Sequence, residues 1–71
     1  MNTSSTESKL TPREKIVLID IANGYSNTQI GKRLSISHRT VDTHRTNIRN
    51  KLNVGGLAGM IKYAIQSGLV K

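Results

Sequence analysis

The stretch SNTQIGKRLSISHRTVDTHRTNIRNKL, residues 26–52, decides the fold of this chain. It predicts two helices joined by a very short turn. Ser26 and Gln29 have the spacing of a capping box, in which each side chain satisfies a backbone N–H at the helix start. This first helix of the pair is expected to run to Leu34, where the pattern breaks.

The second helix of the pair begins after Ser37, an N-cap with Thr40 at the reciprocal position, and no Gly or Pro interrupts it through Leu52. A short helix, a tight turn and a longer helix form a helix-turn-helix, the motif that places its second helix in a DNA major groove. At about 100° per residue, Val41, Ile48 and Leu52 lie within about 20° of one another and form the packed stripe.

The side opposite this stripe is entirely polar. Short hydroxyl and amide side chains that approach base edges, flanked by longer basic side chains, are suited to reading the major groove. An ordinary solvated face has the same pattern, so the stripe alone gives both interpretations equal weight. The polar face consists of Arg39, Thr43, Thr46 and Asn50, with Asp42 and Asn47 on its two shoulders.

The charge of the chain favours DNA. Eleven Lys and Arg against four Asp and Glu in 71 residues give a net charge of +7 and a pI near 10.4, which favours polyanionic partners. An anionic membrane is the rival partner, but the helix lacks a broad apolar face with aromatic residues. The two-helix stretch has Asp42 as its only acid, against the basic residues Lys32, Arg33, Arg39, Arg45, Arg49 and Lys51.

Enzymatic and metal-binding functions find no support. The chain has no cysteine, which excludes disulfides, thiolate zinc sites and thiol nucleophiles. His38 and His44 lie roughly 120° apart around a helix, so they cannot share a metal ion as an i, i+4 pair would. His44 is expected to pack at the core edge, with a phosphate contact as its alternative role. We expect no catalytic residues, metal or cofactor, and a small cytoplasmic domain without a membrane span or signal peptide.

Two further helices flank the two-helix stretch. Thr11 as N-cap, Pro12 and Glu14 predict a first helix ending at Gly24, after residues 1–9, which we interpret as a disordered tail or linker remnant. The inward face of this helix is Val17, Leu18, Ile21 and Ala22, while Ile16 and Ile19 point away.

The fourth helix is predicted from Leu57 to Ser67, after a turn at residues 53–56, with Gly68 terminating it. The fold class is therefore all-α: a compact four-helix domain over residues 10–71 that contains a helix-turn-helix. The inward side of the fourth helix is predicted to hold Leu57, Met60, Ile61, Ala64 and Ile65, with Leu69 and Val70 folding back onto the core.

The sequence resembles the LuxR-type DNA-binding domain found at the C-terminus of NarL/FixJ response regulators and of quorum-sensing regulators. LTPRE, the SN opening of the second helix, IxxxLxISxxTVxxH and NIxxKL occur in order at the family's spacing, over about residues 10–70. The resemblance implies a transcription regulator that binds double-stranded DNA as a dimer, with the third helix in the major groove. It also implies an N-terminal receiver or sensor domain as a further partner.

The resemblance assigns DNA contacts by position, and the polar face contains its three base-reading positions. Base contacts fall on Asp42, Thr43 and Thr46, to which periodicity adds Arg39. Phosphate contacts by resemblance are Thr28, Ser37, Thr40 and Lys51, and the neighbouring polar or basic side chains His44, Arg45, Asn47 and Arg49 are further candidates.

The same family uses its fourth helix for dimerisation. Because Leu57 is predicted to face inward, the expected subunit contact consists of Gly55, Gly56, Lys62 and Tyr63. Three residues depart from the family's pattern, namely Asp20 at a usual core leucine, Asp42 at a usual long side chain, and Gly56 at a usual Ser or Thr cap.

Two other functions remain open at this point. A sigma-factor region 4 shares the recognition helix, but the fourth helix with its YAIQSGLV ending argues against it. A helical protein-interaction module without DNA leaves the charge of +7 unexplained, and a salt-dependent gel shift separates it from a DNA-binding domain.

Overall fold

The computed structural model describes residues 10–70, and these form four helices. They are α1 (Pro12–Ala22), α2 (Asn27–Leu34), α3 (His38–Leu52) and α4 (Leu57–Gln66). No strand occurs within this range. The predicted all-α fold with a helix-turn-helix is confirmed, while the predicted tail at residues 1–9 lies outside the described residues.

Both predicted capping boxes are present at the starts of α1 and α2. The Thr11 hydroxyl accepts from the Glu14 N–H at 3.1 Å, and the Glu14 carboxylate accepts from the Thr11 N–H at 3.0 Å. Ser26 and Gln29 make the same reciprocal pair at 3.2 and 2.9 Å. Because each box satisfies donors that a helix leaves unpaired, these local signals set where the two helices begin.

The turn between α2 and α3 depends on a close backbone approach. Ser35 adopts a left-handed conformation with φ 59°, and the Ile36 N–H donates to the Gly31 carbonyl at 2.9 Å. A Cβ at position 31 would lie only 2.8 Å from the Ile36 carbonyl oxygen. Glycine therefore lets the turn fold directly back onto α2.

The start of α3 is capped as predicted, with one difference. The Ser37 hydroxyl accepts from the Thr40 N–H at 3.0 Å. However, the Thr40 hydroxyl lies 2.8 Å from the Ser37 hydroxyl, so it bonds that side chain rather than the backbone N–H of Ser37. A threonine is shorter than the Glu or Gln of a full capping box, which explains why it does not reach the backbone.

The core lies where α1, α3 and α4 meet, and α2 adds Ile30 to it. The predicted apolar stripe of α3 is buried, and so are the predicted inward residues of α1 apart from half-buried Ala22. Leu69 and Val70 pack back against the core, as expected. The buried apolar residues are Leu10, Val17, Leu18, Ile21, Ile30, Val41, Ile48, Leu52, Met60 and Ala64.

The prediction for α4 is wrong at two residues. Leu57 and Ile65 are 50% and 54% exposed, whereas Met60 and Ala64 are buried. Ile65 is displaced by about 100° from Ala64, which takes it off the narrow stripe that a single helix face buries. Leu57 lies on the side of Ala64 but two turns away, at the first position of the helix, where the core no longer covers it.

A buried ion pair explains how the core accommodates Asp20. Its carboxylate is 3% exposed and accepts from Arg33 Nε at 3.1 Å and Nη2 at 3.3 Å. The hydrogen bond with Asp20 raises the pKa of the Arg33 guanidinium above its ordinary value. The guanidinium carbon lies 4.4 Å from the ring centre of Tyr25, a half-buried residue that packs against the core. Asp20 thus links α1 to α2.

We predict an asymmetric response to breaking this pair. Arg33→Ala should lower the free energy of unfolding, because it leaves a buried carboxylate unpaired, whereas Asp20→Leu should be neutral or stabilising, because the exposed guanidinium returns to water. In the Asp20→Leu background, Arg33→Ala should have little further effect. Urea unfolding measures all four proteins, with Arg13→Ala as the control for losing an exposed arginine. If Arg33→Ala lowered the free energy of unfolding equally in the wild type and in the Asp20→Leu variant, Asp20 and Arg33 would not stabilise the fold through their interaction.

Candidate nucleic-acid interface

The solvent-facing side of α3 brings the predicted base-reading residues together. All of them are exposed, and they surround one shallow, open depression on the helix. Because a depression of this kind offers side-chain tips without a deep cleft, it suits a flat or grooved partner better than a small molecule. Its lining consists of Arg39, Asp42, Thr43, Thr46 and Asn47.

Two hydrogen bonds order this face. The Thr43 hydroxyl donates to the Arg39 carbonyl oxygen at 3.1 Å, and its oxygen can still accept a hydrogen bond on this exposed residue. The Asp42 Oδ1 accepts from the Asn27 Nδ2 at 3.0 Å. Sequence reasoning missed Asn27, because its partner lies 15 residues along the chain.

The basic residues of the two-helix stretch fall into two groups. Arg33 and Lys51 are paired with the buried acids Asp20 and Glu14. The other four have no carboxylate partner in the part of the chain that the structure describes, so their charge is free to meet phosphate. These four are Lys32, Arg39, Arg45 and Arg49.

A second open groove lies at the helix-turn-helix joint. It contains Thr28, a predicted phosphate contact, together with Lys32 and His38, which the sequence analysis did not count as contacts. A positive charge beside the start of α3 is favourable for phosphate, because the N-terminus of a helix attracts anions. The full lining is Thr28, Gly31, Lys32, Ser35, Ile36 and His38.

Lys51 has a structural role that was not predicted. Its Nζ donates to the Glu14 Oε1 at 2.8 Å, and Glu14 is only 3% exposed. Burial raises the pKa of Glu14, but the hydrogen bonds from Lys51 and the Thr11 N–H, and the charges of Lys51 and His44, outweigh it and lower that pKa below 4.5. The pair ties the last turn of α3 to the first turn of α1.

The half-buried position predicted for His44 is confirmed. Its Nδ1 atom is buried and has no hydrogen-bond partner among residues 10–70. The ring is half-buried, which places it at the edge of the core. Whether His44 also meets a phosphate stays a prediction.

The predicted subunit contact spans exposed and covered positions. Gly55 and Lys62 are exposed, whereas Gly56 is half-buried and Tyr63 packs against the core. Gly56 makes no side-chain cap for α4, as its departure from the family's pattern implied. Leu57 was left out of the predicted subunit contact because it was expected to face the core. Since it is exposed, that reason does not apply.

Within residues 10–70, no group of three or more acidic or histidine side chains could hold a metal ion. None of the four helices is long and apolar enough to cross a membrane.

Comparison with known proteins gives matches that cover most of this chain. Residues 8–64 match the family model of bacterial regulatory proteins, luxR family. The transcriptional regulatory protein MctR of Rhizobium johnstonii is 44% identical over 61 residues, which is 86% of this chain and 28% of MctR. The oxygen regulatory protein NreC of Staphylococcus aureus is 36% identical over 70 residues, or 99% of this chain and 32% of NreC.

A third relative is the response regulatory protein YgeK of Escherichia coli, of uncharacterised role. It is 42% identical over 65 residues, covering 92% of this chain and 44% of YgeK. The chain therefore spans less than half the length of each of these three relatives.

The lowered pKa of Glu14 predicts a pH dependence of stability. A carboxyl whose folded pKa lies below its unfolded value contributes stability that is fully present above the unfolded value and is lost as pH falls through the folded pKa. Between about pH 5 and pH 3, the free energy of unfolding should therefore fall more steeply for the wild type than for Glu14→Gln. Urea unfolding over this range measures the difference.

Lys51→Met provides the complementary measurement. It should destabilise the domain at neutral pH, where it leaves a buried carboxylate unpaired, and the deficit should shrink in acid as Glu14 is protonated. If both variants parallel the wild type at every pH, the pair does not contribute the proposed stability.

Proposed function

Because the chain belongs to the luxR family of bacterial regulatory proteins, as a LuxR-type DNA-binding domain, we propose that it is the sequence-specific output domain of a transcription regulator. In this proposal α3 enters the major groove of double-stranded DNA. The observation that carries it is the polar face of α3, which presents adjacent hydrogen-bonding side chains beside unpaired cations. A helix with this surface fits the width of the major groove.

The base contacts belong to the exposed tips on this face. Asp42 offers an acceptor for a base amino group, Arg39 offers donors for guanine, and Thr43 and Thr46 offer a hydroxyl and a methyl group each. Their clustering on one depression supports a single docking orientation, because every tip meets the same stretch of groove.

The phosphate contacts surround this face on α2 and α3. Arg45 and Arg49 carry unpaired charge, while the amide of Asn47 and the hydroxyls near the start of α3 are neutral donors. Lys51 shares its ammonium with Glu14, so we expect it to contribute less than an unpaired cation. The proposed set is Thr28, Ser37, Thr40, His44, Arg45, Asn47, Arg49 and Lys51, to which the turn groove adds Lys32 and His38.

Dimerisation on DNA is proposed to use α4 and the turn that precedes it. Leu57 and Ile65 are exposed apolar side chains on this helix, an arrangement that a second copy could cover. Lys62, Tyr63 and the turn at Gly55 and Gly56 complete the proposed contact. A small surface of this kind supports a weak contact that forms when two copies bind adjacent half-sites.

In the larger context, we propose that the domain is joined to an N-terminal receiver or sensor domain and acts in the cytoplasm. The proposal rests on the greater length of its relatives, one of which is named a response regulatory protein. A sigma-factor region 4 is disfavoured, because Met60 and Ala64 of α4 are part of the core. A protein-interaction module without DNA is the alternative that the next measurement tests.

Affinity for any duplex should fall steeply with salt. Neutralising about 4 to 6 phosphates per monomer gives a log-log slope on the order of −4 to −5. Arg45→Ala should reduce the magnitude of this slope by about 1, because it removes one phosphate contact. Lys15→Ala, on a helix without proposed contacts, is the control for losing a charge. A wild-type slope near zero would rule out the DNA-binding proposal.

Binding to paired half-sites about one helical turn apart should be cooperative. Leu57→Ser should weaken binding to the pair by about fivefold or more, equivalent to about 1 kcal/mol of lost subunit contact, and leave binding to a single half-site unchanged. Ile16→Ser is the matched control, because Ile16 is an exposed apolar residue on α1. Gel shifts on single and paired sites measure both. Equal affinity per site on single and paired DNA would contradict dimerisation.

A further inference from the structure

Among residues 10–70, one side-chain hydrogen bond joins α2 to the polar face of α3, and it links Asn27 to Asp42. Asn27 is the first residue of α2, and its Nδ2 lies 3.0 Å from the Asp42 Oδ1. The start of α2 is already satisfied by the capping box of Ser26 and Gln29. The Asn27 amide is therefore not needed as a cap, and its bond goes to the neighbouring helix.

The chemistry of the pair fixes which atoms remain available. An ionised carboxylate only accepts hydrogen bonds, so the Asn27 amide must present its nitrogen to Asp42. This leaves the Asp42 Oδ2 without a partner among the described side chains, on an exposed residue that lines the α3 depression. The carboxylate is thus held by one oxygen and offers the other to solvent.

Asp42 forms no ion pair with the neighbouring arginines of α3. Arg39 and Arg45 each lie three residues away on α3, within reach of an intrahelical ion pair. Neither forms one with Asp42. Since Asn27 holds the carboxylate on the α2 side, both guanidinium groups stay available for contacts with DNA.

We propose that Asn27 is a positioning residue for base specificity, which holds the Asp42 carboxylate so that its second oxygen accepts from an exocyclic amino group in the major groove. Cytosine N4 and adenine N6 are the two groups of this chemistry. The inference rests on the proposed DNA-binding function. A carboxylate held in place loses less conformational freedom on binding, so the correct base is favoured more strongly.

The test is selection of bound sequences from random duplex DNA, followed by affinity measurements on the selected site and on single-base variants. The proteins are the wild type, Asn27→Ala, Asp42→Asn and the double variant. Asn23→Ala is the matched control, because Asn23 is exposed and its side chain makes no hydrogen bond to the described residues. Thermal unfolding of each protein monitors stability.

The wild type should prefer C or A at one position per half-site. The base selected there shows whether Asp42 accepts from cytosine N4 or from adenine N6. Asn27→Ala should weaken the preference at that position by about two- to tenfold, the effect of one ordinary hydrogen bond, and leave other positions unchanged. In the Asp42→Asn background, Asn27→Ala should have no further effect on preference. Asn27→Asp, which is isosteric but places a second carboxylate beside Asp42 where an amide donor stood, should also lose the preference, because like charges repel at this distance.

Three results would overturn the proposal. One is an Asn27→Ala protein that keeps its base preference and only loses stability or overall affinity. Another is an unchanged preference in Asp42→Asn. The third is an equal loss of base preference when Asn27→Ala is introduced into the wild type and into the Asp42→Asn variant. Absence of salt-dependent binding by the wild type would instead refute the proposed function itself, since every other comparison assumes that binding.

Discussion

Burial of the apolar stripe on α3 is the constraint on which the rest of the structure depends. Val41 and Ile48 are completely buried, and removing each from water contributes about 1.5–3 kcal/mol. Because these two residues share one side of a helix, their burial fixes the rotation of α3 about its axis. The polar face points outward as a consequence of that rotation.

Burial fixes the rotation of α3, but it leaves the relative positions of the helices less precisely defined. Three carboxylates supply that definition, because each acid in the described range bonds to a side chain on another helix. Two of them are buried and hold cations that remain partly exposed, and the third is exposed and holds a neutral amide. The pairs are Glu14 with Lys51 (α1 and α3), Asp20 with Arg33 (α1 and α2), and Asp42 with Asn27 (α3 and α2).

The difference between local and distant interactions explains what the sequence could predict. Capping signals act over three residues and apolar periodicity over one or two turns, so the helix starts, the stripe of α3 and most of its exposed polar face followed from the sequence alone. The partners of the carboxylates are 13 to 37 residues away, and only the packed fold brings them together. The prediction that Leu57 is buried was wrong for the same reason. Its position on the helix face was correct, but the packed core does not extend as far as the first residue of α4.

The same pairing changes how charge is divided between generic and specific binding. Buried acids neutralise Arg33 and Lys51, so part of the basic charge counted from the sequence stabilises the fold and attracts phosphate less strongly. Asp42 adds a negative charge on the proposed docking face, which opposes binding to every duplex unless a donor in the groove meets it. Both effects lower the sequence-independent attraction to DNA, while the Asp42 carboxylate held by Asn27 favours sites that carry one particular base. A larger share of the proposed affinity therefore depends on sequence, and discrimination improves because the wrong site leaves a carboxylate unpaired.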